Sequence, residues 1–150
     1  MTDCYTCGQE AGLASAPMRE RIAYDDHWRV AHAITTSVPG WLVLVPRRHV
    51  AAIAELTDAE AAALGSWQVW ASRALHAELG CSKTYVVQFA EAAGFAHVHF
   101  HLVPRMSDLP ATEVGPRIFA RLGVPAEQQV SGAEMDALAV RLSAHLAERG

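Results

Sequence analysis

A chain of 150 residues with 51% hydrophobic and 19% charged residues has the composition of a globular domain of ordinary size, neither disordered nor membrane-embedded. Its net charge of −4 and its lack of a long basic run argue against a dedicated nucleic-acid-binding surface, although one nucleotide needs only a few donors. The longest dense apolar run, residues 41–45, is too short to span a bilayer, and the first residues carry no signal-peptide pattern. We expect a cytoplasmic protein without a membrane partner, in which residues 1–150 form a single domain.

The first motif is a C-x-x-C pair, Cys4 and Cys7, followed by Gly8. Three cysteines in an intracellular chain favour thiol or metal chemistry over a disulfide framework. Two cysteines in a tight turn resemble half of a zinc site. A thioredoxin-like redox motif would instead open a helix, whereas residues 12–17 have the composition of a loop. Two ordinary terminal thiols are the remaining alternative.

Three strand patterns follow the cysteines. Residues 20–24 and 28–34 predict two strands joined by a turn of two aspartates, which favours a hairpin. After the turn signal Pro39-Gly40, residues 41–45 predict a strongly apolar strand that we expect to be central. His49 comes just after this buried strand, a position that suits a hydrogen-bonded or metal-bound histidine.

Two capping boxes mark the starts of two helices. Thr57 and Glu60 begin the first helix, which we expect to continue to residue 79 and to end at Gly80. Its tryptophans are interpreted as core residues because they fall near an apolar stripe at helical spacing. Ser131 and Glu134 begin a second helix that continues to about residue 148.

Shorter elements lie between and after these helices. Residues 83–90 predict a strand that is β-branched and aromatic in its middle. A glycine-containing loop then precedes the histidine-rich stretch, which favours a second antiparallel hairpin. Residues 117–122 predict a short helix in an otherwise irregular region.

Residues 97–105 begin with an alternation of histidine and apolar residues. A period of two predicts a strand, in which His97, His99 and His101 share one face and the apolar residues share the other. Three ionisable rings on one face of an apolar strand are costly to bury unless each has a partner. The chemistry of this stretch therefore depends on what those partners are.

Three hypotheses account for the histidines. All three rings could bind one catalytic metal, they could be structural, or they could perform phosphoryl or nucleotidyl transfer. If Cys4 and Cys7 bind zinc, a closed tetrahedron needs two more ligands. His49 and one histidine of residues 97–101 are natural candidates, and two histidines would then remain for catalysis.

The sequence His-Val-His-Phe-His-Leu-Val at residues 97–103 resembles the His-φ-His-φ-His-φ-φ signature of the histidine-triad (HIT) family. Its context agrees with the resemblance: Pro39-Gly40, an apolar strand and the sequence Pro-Arg-Arg-His at 46–49 come before a central helix, a strand and the triad. The resemblance covers roughly residues 4–105. Residues 106–150 lie outside it and are interpreted as a C-terminal helical extension.

This resemblance implies an α+β fold with a twisted, mainly antiparallel sheet of about five strands and a long central helix, to which the second capping box adds a C-terminal helix. It also implies a homodimer. The activity it implies is that of a nucleotide hydrolase or nucleotidyl transferase. The enzyme would act at the α-phosphate of a nucleotide ester, dinucleoside polyphosphate or nucleoside phosphoramidate.

The resemblance also implies roles for individual residues. His99 would attack the α-phosphorus and form a covalent nucleotidyl-histidine, and His101 would contact phosphate oxygens and help the leaving group depart. A structural Zn²⁺ would be bound by residues from three parts of the chain, namely Cys4, Cys7, His49 and His97. The expected substrate-binding residues are Gln88, Gly94, Phe95, Ala96 and His101, with backbone N–H groups around residues 94–96 cradling phosphate.

The chain departs from the family pattern at three places. Relatives carry Gly-Gln-Ser or Gly-Gln-Thr shortly before the first histidine, whereas residues 94–96 here are Gly-Phe-Ala. Ala33 stands where relatives hold the ribose with an Asn or Asp, and Trp41 replaces a frequent histidine. A nucleotide-binding module with little turnover is therefore an alternative function.

Overall fold

The computed structural model describes residues 3–149, so the ends of the predicted domain, residues 1, 2 and 150, lie outside it. Its α-helices are α1 (Tyr5–Ala11), α2 (Asp58–Leu79) and α3 (Gly132–Ala147). Its strands are β1 (Ala23–Tyr24), β2 (Trp28–His32), β3 (Leu42–Pro46), β4 (Lys83–Gln88) and β5 (Phe100–Arg105). Within this range, no helix is both long enough and apolar enough to cross a membrane.

The five strands form one sheet in the order β1-β2-β3-β5-β4, and every neighbouring pair is antiparallel. The apolar strand β3 is central, as its composition predicts. The chain leaves β3, passes through α2 to the edge strand β4, and returns as β5 between β3 and β4. The predicted α+β class, with a long central helix and a C-terminal helix, is confirmed.

Local capping sets the bounds of α2. The side chain of Thr57 accepts the Glu60 N–H, and the Glu60 carboxylate in turn accepts the Thr57 N–H. At the other end Gly80 adopts the left-handed conformation, and its N–H donates to the carbonyl of His76. The predicted start and end of this helix are therefore confirmed.

The two faces of the sheet have different surroundings. Alternate residues of β2, β3 and β5 pack beneath α2 and α3 and form the larger hydrophobic core together with Trp67 and Leu75. The opposite face carries a smaller apolar cluster that includes Trp41, Val103 and Ile118. This second face is where the candidate site lies.

Several predicted bounds are corrected by the structure. The C-x-x-C pair does not lie in a simple turn: Cys4 is the N-cap of α1, and its sulfur accepts the Cys7 N–H. The first predicted strand shortens to Ala23–Tyr24. The predicted helix at 117–122 is a 3-10 helix, Gly115–Arg121. The strand predicted for 83–90 ends at Gln88, and Ala90 follows with a φ of 56°.

The histidine strand begins later than its alternation predicts. β5 starts at Phe100, so His97 and His99 lie in irregular backbone just before it. The N–H of Val98 donates to the carbonyl of Val50 at 2.7 Å, outside the β-ladder. The alternation predicts that the three histidines share one face, but this irregular backbone separates them.

We expect a sharp contrast between two glycine-to-alanine substitutions. Gly40 has a φ of 85°, and an added Cβ would lie 2.5 Å from Cδ1 of Leu79, so Gly40→Ala should destabilise the fold by about 2–4 kcal/mol. Gly65 lies within α2 with nothing within 4 Å of an added Cβ, and Gly65→Ala should stabilise by about 0.5–1 kcal/mol. Urea unfolding measures both, and equal effects would contradict the packing described for residue 40.

Candidate functional site

A cavity of about 640 Å³ opens on the sheet face opposite α2. Its apolar walls and floor include Ala31, Ala33, Ile34, Val43, Val45, Phe89, Phe95, Phe119 and Leu122. Its polar lining includes Tyr5, Thr6, Glu20, Arg29, His99 and His101. A concave, mainly apolar cavity with a few convergent polar groups is typical of a small-molecule site.

Strand register determines the floor of this cavity. His101 on β5 pairs with Val43 on β3, which pairs with Ala31 on β2. Neighbouring strands lie about 4.8 Å apart, so the floor extends about 10 Å from His101 to Ala31. Only small side chains cover this distance, which leaves room for a ligand above them.

His99 is oriented by a backbone carbonyl. Its Nδ1 lies 2.8 Å from the carbonyl oxygen of His97. A carbonyl oxygen accepts only, so Nδ1 of His99 donates and carries the proton in the neutral ring. The unprotonated nitrogen is then Nε2, whose lone pair is available to a ligand in the cavity.

His101 has the opposite orientation. The indole Nε1–H of Trp41 donates to Nδ1 of His101 at 3.0 Å, and the Trp41 side chain is fully buried. Indole nitrogen is a donor only, so Nδ1 of His101 is an acceptor and the neutral ring carries its proton on Nε2. Burial, followed by the neighbouring His99, lowers the pKa of His101 to about 4.

The two cavity histidines therefore carry complementary tautomers. Their ring centroids lie 4.8 Å apart, and the ring planes are nearly perpendicular. His99 presents a lone pair, whereas His101 presents an N–H. A nucleophile beside a hydrogen-bond donor is an arrangement suited to attack on an electrophile that carries negative oxygens.

His97 faces away from the cavity and toward the cysteines. Its Nδ1 lies 3.6 Å from Sγ of both Cys4 and Cys7, and Nδ1 of His49 lies 3.3 Å from Sγ of Cys7. The four ligating atoms all lie within 4.8 Å of one another. A tetrahedral zinc site with ligand distances of about 2.0–2.3 Å has edges of roughly 3.3–3.8 Å, so these residues fit a zinc ion.

The surroundings of the cluster also suit a cation. Nε2 of His97 lies 2.7 Å from the carbonyl oxygen of Pro46, which makes Nε2 the donor and leaves Nδ1 free to bind a metal. Burial and the adjacent Cys4 raise the pKa of Cys7 to about 11. A bound divalent cation would reverse this shift, because it stabilises the thiolate.

The cluster bears on the hypothesis of a three-histidine metal site. Within residues 3–149, no second group of three or more histidine, cysteine or carboxylate side chains lies close enough to bind an ion. His97 belongs to the cysteine cluster, while His99 and His101 line the cavity. The structure therefore divides the three histidines between two sites.

The predicted phosphate-contacting residues are only partly brought together. Phe95 and His101 line the cavity, whereas Gln88, Gly94 and Ala96 are not among its lining residues. Gln88 pairs with Phe100, and cross-strand partners share a face, so Gln88 lies on the α2 side of the sheet. Its side chain is not placed to contact a ligand in the cavity.

The C-terminal extension supplies one cavity wall. The Phe119 ring lies 5.1 Å from the ring of Trp41 and 5.0 Å from that of His101, in edge-to-face contacts. It also contacts Phe89, at 5.6 Å between centroids. No local pattern marks Phe119, which lies in a short 3-10 helix, so the sequence gives no signal for this contact.

A buried polar network borders the cavity where α1 meets β2. The Tyr5 hydroxyl donates to the Glu20 carboxylate, and burial, together with this carboxylate, raises the pKa of Tyr5. Arg29 is 1% exposed and pairs with Glu10 at 3.0 Å and with Glu20 at 3.6 Å. This network holds the N-terminal helix, and with it the two cysteines, against the sheet.

Comparison with known proteins identifies the family. Residues 18–108, more than half of the chain, match the family model of the HIT domain. The chain therefore belongs to the HIT domain family, whose members are nucleotide-binding hydrolases and transferases. No protein with a curated description matches this chain.

Solved structures show the same fold. A zinc-bound histidine triad family protein from Mycobacterium smegmatis is 18% identical, with a TM-score of 0.63, over 95% of this chain and 97% of that one. A hypothetical histidine triad nucleotide-binding protein from Sulfolobus tokodaii is 14% identical, with a TM-score of 0.70, over 96% and 92%. A histidine triad protein from Bradyrhizobium japonicum is 22% identical, with a TM-score of 0.68, over 84% and 89%.

The lowered pKa of His101 predicts a dependence of stability on pH. The pKa falls from 6.5 in the unfolded chain to about 4 on folding, so the unfolded state binds more protons between these values. The resulting stability, about 3 kcal/mol, should be complete above pH 6.5 and be lost as the pH falls to about 4. His101→Gln removes this contribution. Between pH 7 and pH 4, the free energy of unfolding measured in urea should fall by about 3 kcal/mol more for wild type than for the variant. Equal losses in the two proteins would contradict the lowered pKa of His101.

Proposed function

We propose that this protein is a nucleotide hydrolase or nucleotidyl transferase that acts at the α-phosphate of a nucleotide ester, anhydride or phosphoramidate. The observation that carries the proposal is the pair of complementary tautomers at His99 and His101, side by side in one cavity. Membership of the HIT domain family supports the same class of chemistry.

In this proposal His99 is the nucleophile. Its Nε2 lone pair attacks the α-phosphorus, a nitrogen–phosphorus bond forms, and the bond to the leaving group breaks with its electron pair on the leaving atom. The imidazole acquires positive charge, which the His97 carbonyl stabilises through the Nδ1–H bond. Water, or another acceptor, then attacks the phosphorus and loses its proton to solvent, while the nitrogen–phosphorus bond breaks with its electron pair on Nε2 and frees His99.

His101 binds the phosphoryl group through its Nε2–H. A preformed donor aimed at a developing negative charge lowers the barrier because it needs no reorganisation during the reaction. The phosphate cradle expected from the backbone N–H groups of residues 94–96 stays a prediction, since of these residues Phe95 alone lines the cavity. The apolar lining, with Phe89 and Phe119, suits the flat face of a nucleobase.

We also propose that Cys4, Cys7, His49 and His97 bind a structural Zn²⁺. The support is three sulfur–nitrogen distances of 3.3, 3.6 and 3.6 Å, which match the edges of a zinc tetrahedron, and the carbonyl bond that orients His97. When bound, the ion would hold α1, the end of β3 and the chain before β5 together. All four tetrahedral positions would be filled by protein, which is typical of a structural site.

A nucleotide-binding module with little turnover is the second candidate. It is favoured by Ala33, which offers no side-chain oxygen to a ribose, and by the absence of an amide or hydroxyl in residues 94–96.

Three further expectations stay predictions from the sequence and the family resemblance. They are a single domain over residues 1–150 that includes the extension 106–150, a homodimer, and a cytoplasmic location. The cavity contact of Phe119 supports including the extension in the domain.

Removal of the proposed nucleophile should abolish turnover. With diadenosine polyphosphate or adenosine 5′-phosphoramidate as substrate, His99→Ala should reduce nucleotide release by about 10³-fold or more. The matched control is His76→Ala, an exposed histidine on α2, which should retain wild-type activity. Mass spectrometry under neutral denaturing conditions should detect a nucleotidyl adduct on wild type alone. Nucleotide binding without hydrolysis by wild type would favour the binding module.

Zinc content separates the cysteine cluster from a three-histidine site. Cys4→Ser should lose the metal measured by elemental analysis of the purified protein, and its melting temperature should fall because metal binding stabilises the native state. Cys81→Ser, at a buried cysteine outside the cluster, and His101→Ala should each retain about one zinc per chain. Loss of zinc in His101→Ala with retention in Cys4→Ser would overturn the assignment.

A further inference from the structure

The bond between Trp41 and His101 limits what His101 can do in the reaction. Nδ1 of His101 is occupied by the indole N–H, and within residues 3–149 no side-chain or backbone group hydrogen-bonds to its Nε2. Every buried side-chain nitrogen in this range has a partner, so Nε2 must open to the cavity that His101 lines. The ring therefore presents one N–H to a ligand.

A second proton on His101 has no suitable place. It would have to bind Nδ1, where the indole N–H of Trp41 has no lone pair to accept it. The Trp41 side chain is fully buried and held edge-on by Phe119, so it cannot turn away without breaking the aromatic cluster. The negative charge of a bound phosphate favours a protonated His101. The added proton on Nδ1 would nevertheless face the indole N–H of Trp41. The low pKa of His101, about 4, agrees with this geometry.

A His101 that takes no second proton cannot act as a general acid, and the groups packed against it do not supply one. The aromatic rings packed against it are the indole of Trp41, the ring of Phe119 and the imidazole of His99, and of these only His99 is an ionisable group. His99 is itself the proposed nucleophile. Residues 94–96, just before the triad, offer no hydroxyl.

The other ionisable groups of the cavity are engaged or exposed. Glu20 is held by the Tyr5 hydroxyl and by Arg29. Both ring nitrogens of His32 are bonded, Nδ1 to the Ala33 carbonyl and Nε2 to the Gly40 N–H. Glu91 is exposed to solvent. At the proposed nucleophile His99, the ionisable ring in direct contact is therefore the imidazole of His101.

We propose that Trp41 is a positioning residue that keeps His101 a neutral hydrogen-bond donor, and that the site consequently selects substrates whose leaving group departs without a proton. This inference rests on the proposed function and names its substrate class. In a phosphoanhydride such as a dinucleoside polyphosphate, the P–O bond breaks and the electron pair leaves on a phosphate oxygen, which is stable as an anion. In a phosphoramidate, the P–N bond breaks and the amine nitrogen must receive a proton as it leaves.

The kinetic test compares two substrates that share the adenosine 5′-phosphoryl group. Wild type should cleave diadenosine triphosphate with a kcat/KM at least about tenfold above that for adenosine 5′-phosphoramidate, since a positioned general acid contributes about 10²–10⁴-fold. Trp41→Phe keeps an aromatic ring and removes the N–H, and Trp41→His supplies a ring that can also accept. Both substitutions should lower the ratio of the two kcat/KM values by about tenfold, which lies within the range that a general acid contributes.

Trp67→Phe is the matched control. Trp67 is equally buried, its N–H donates to Asp25, and it lies on the other side of the sheet, so the substrate ratio should not change. A wild-type preference for the phosphoramidate, or a ratio unaffected in both Trp41 variants, overturns the inference and leaves the proposed function intact. If neither substrate is cleaved, the proposed function fails and this inference fails with it.

A spectroscopic measurement on wild type covers the case in which the Trp41 variants do not fold. Nitrogen-15 NMR of the histidine side chains at pH 7 should show His101 with an unprotonated Nδ1 and a protonated Nε2. An imidazolium at His101, or a proton on its Nδ1, would contradict the role of Trp41 whatever the kinetics show.

Discussion

The hydrogen bond between Nε2 of His97 and the carbonyl oxygen of Pro46 is the constraint on which the rest of the site depends. It joins the end of the central strand β3 to the irregular backbone before β5. By fixing the donor nitrogen, it turns Nδ1 of His97 toward the two cysteines that begin α1. The His97 carbonyl, held in the same segment, then fixes the ring of His99. One backbone contact thus orients both the cysteine–histidine cluster and the proposed nucleophile, His99.

Burial and orientation explain why three adjacent histidines have three different environments. A buried imidazole is stable only when its polar atoms are satisfied, and each ring here is satisfied differently. His97 is fully buried between a carbonyl and two thiols, and His99 donates to a carbonyl beneath it. His101 accepts from the indole of Trp41. The apolar floor of the cavity and the Phe119 ring lie beside the last two rings, and such weakly polar surroundings strengthen these bonds.

Sequence patterns predict the locally determined parts of this molecule. Thr57 and Gly80 mark the ends of α2 because helix caps depend on a few neighbouring residues. The alternation predicts too early a start for β5, because it continues through His97, whereas the tertiary bonds of that residue remove it from the ladder. Ligand counting predicts that one of the three histidines joins the cysteine cluster, whereas the choice of His97 follows from the family resemblance. The contacts of Trp41 and Phe119 could not, because they join segments that are distant in the chain.

The most direct test of this account is a crystal structure with a nucleoside 5′-monophosphate bound. The account predicts the α-phosphorus nearest to Nε2 of His99, a phosphate oxygen within hydrogen-bond distance of Nε2 of His101, and the Trp41 bond intact. It also predicts that His97 points at a metal held with the cysteines. A phosphorus facing a nitrogen of His97 or His101, or a metal ion bound jointly by His99 and His101, would contradict it.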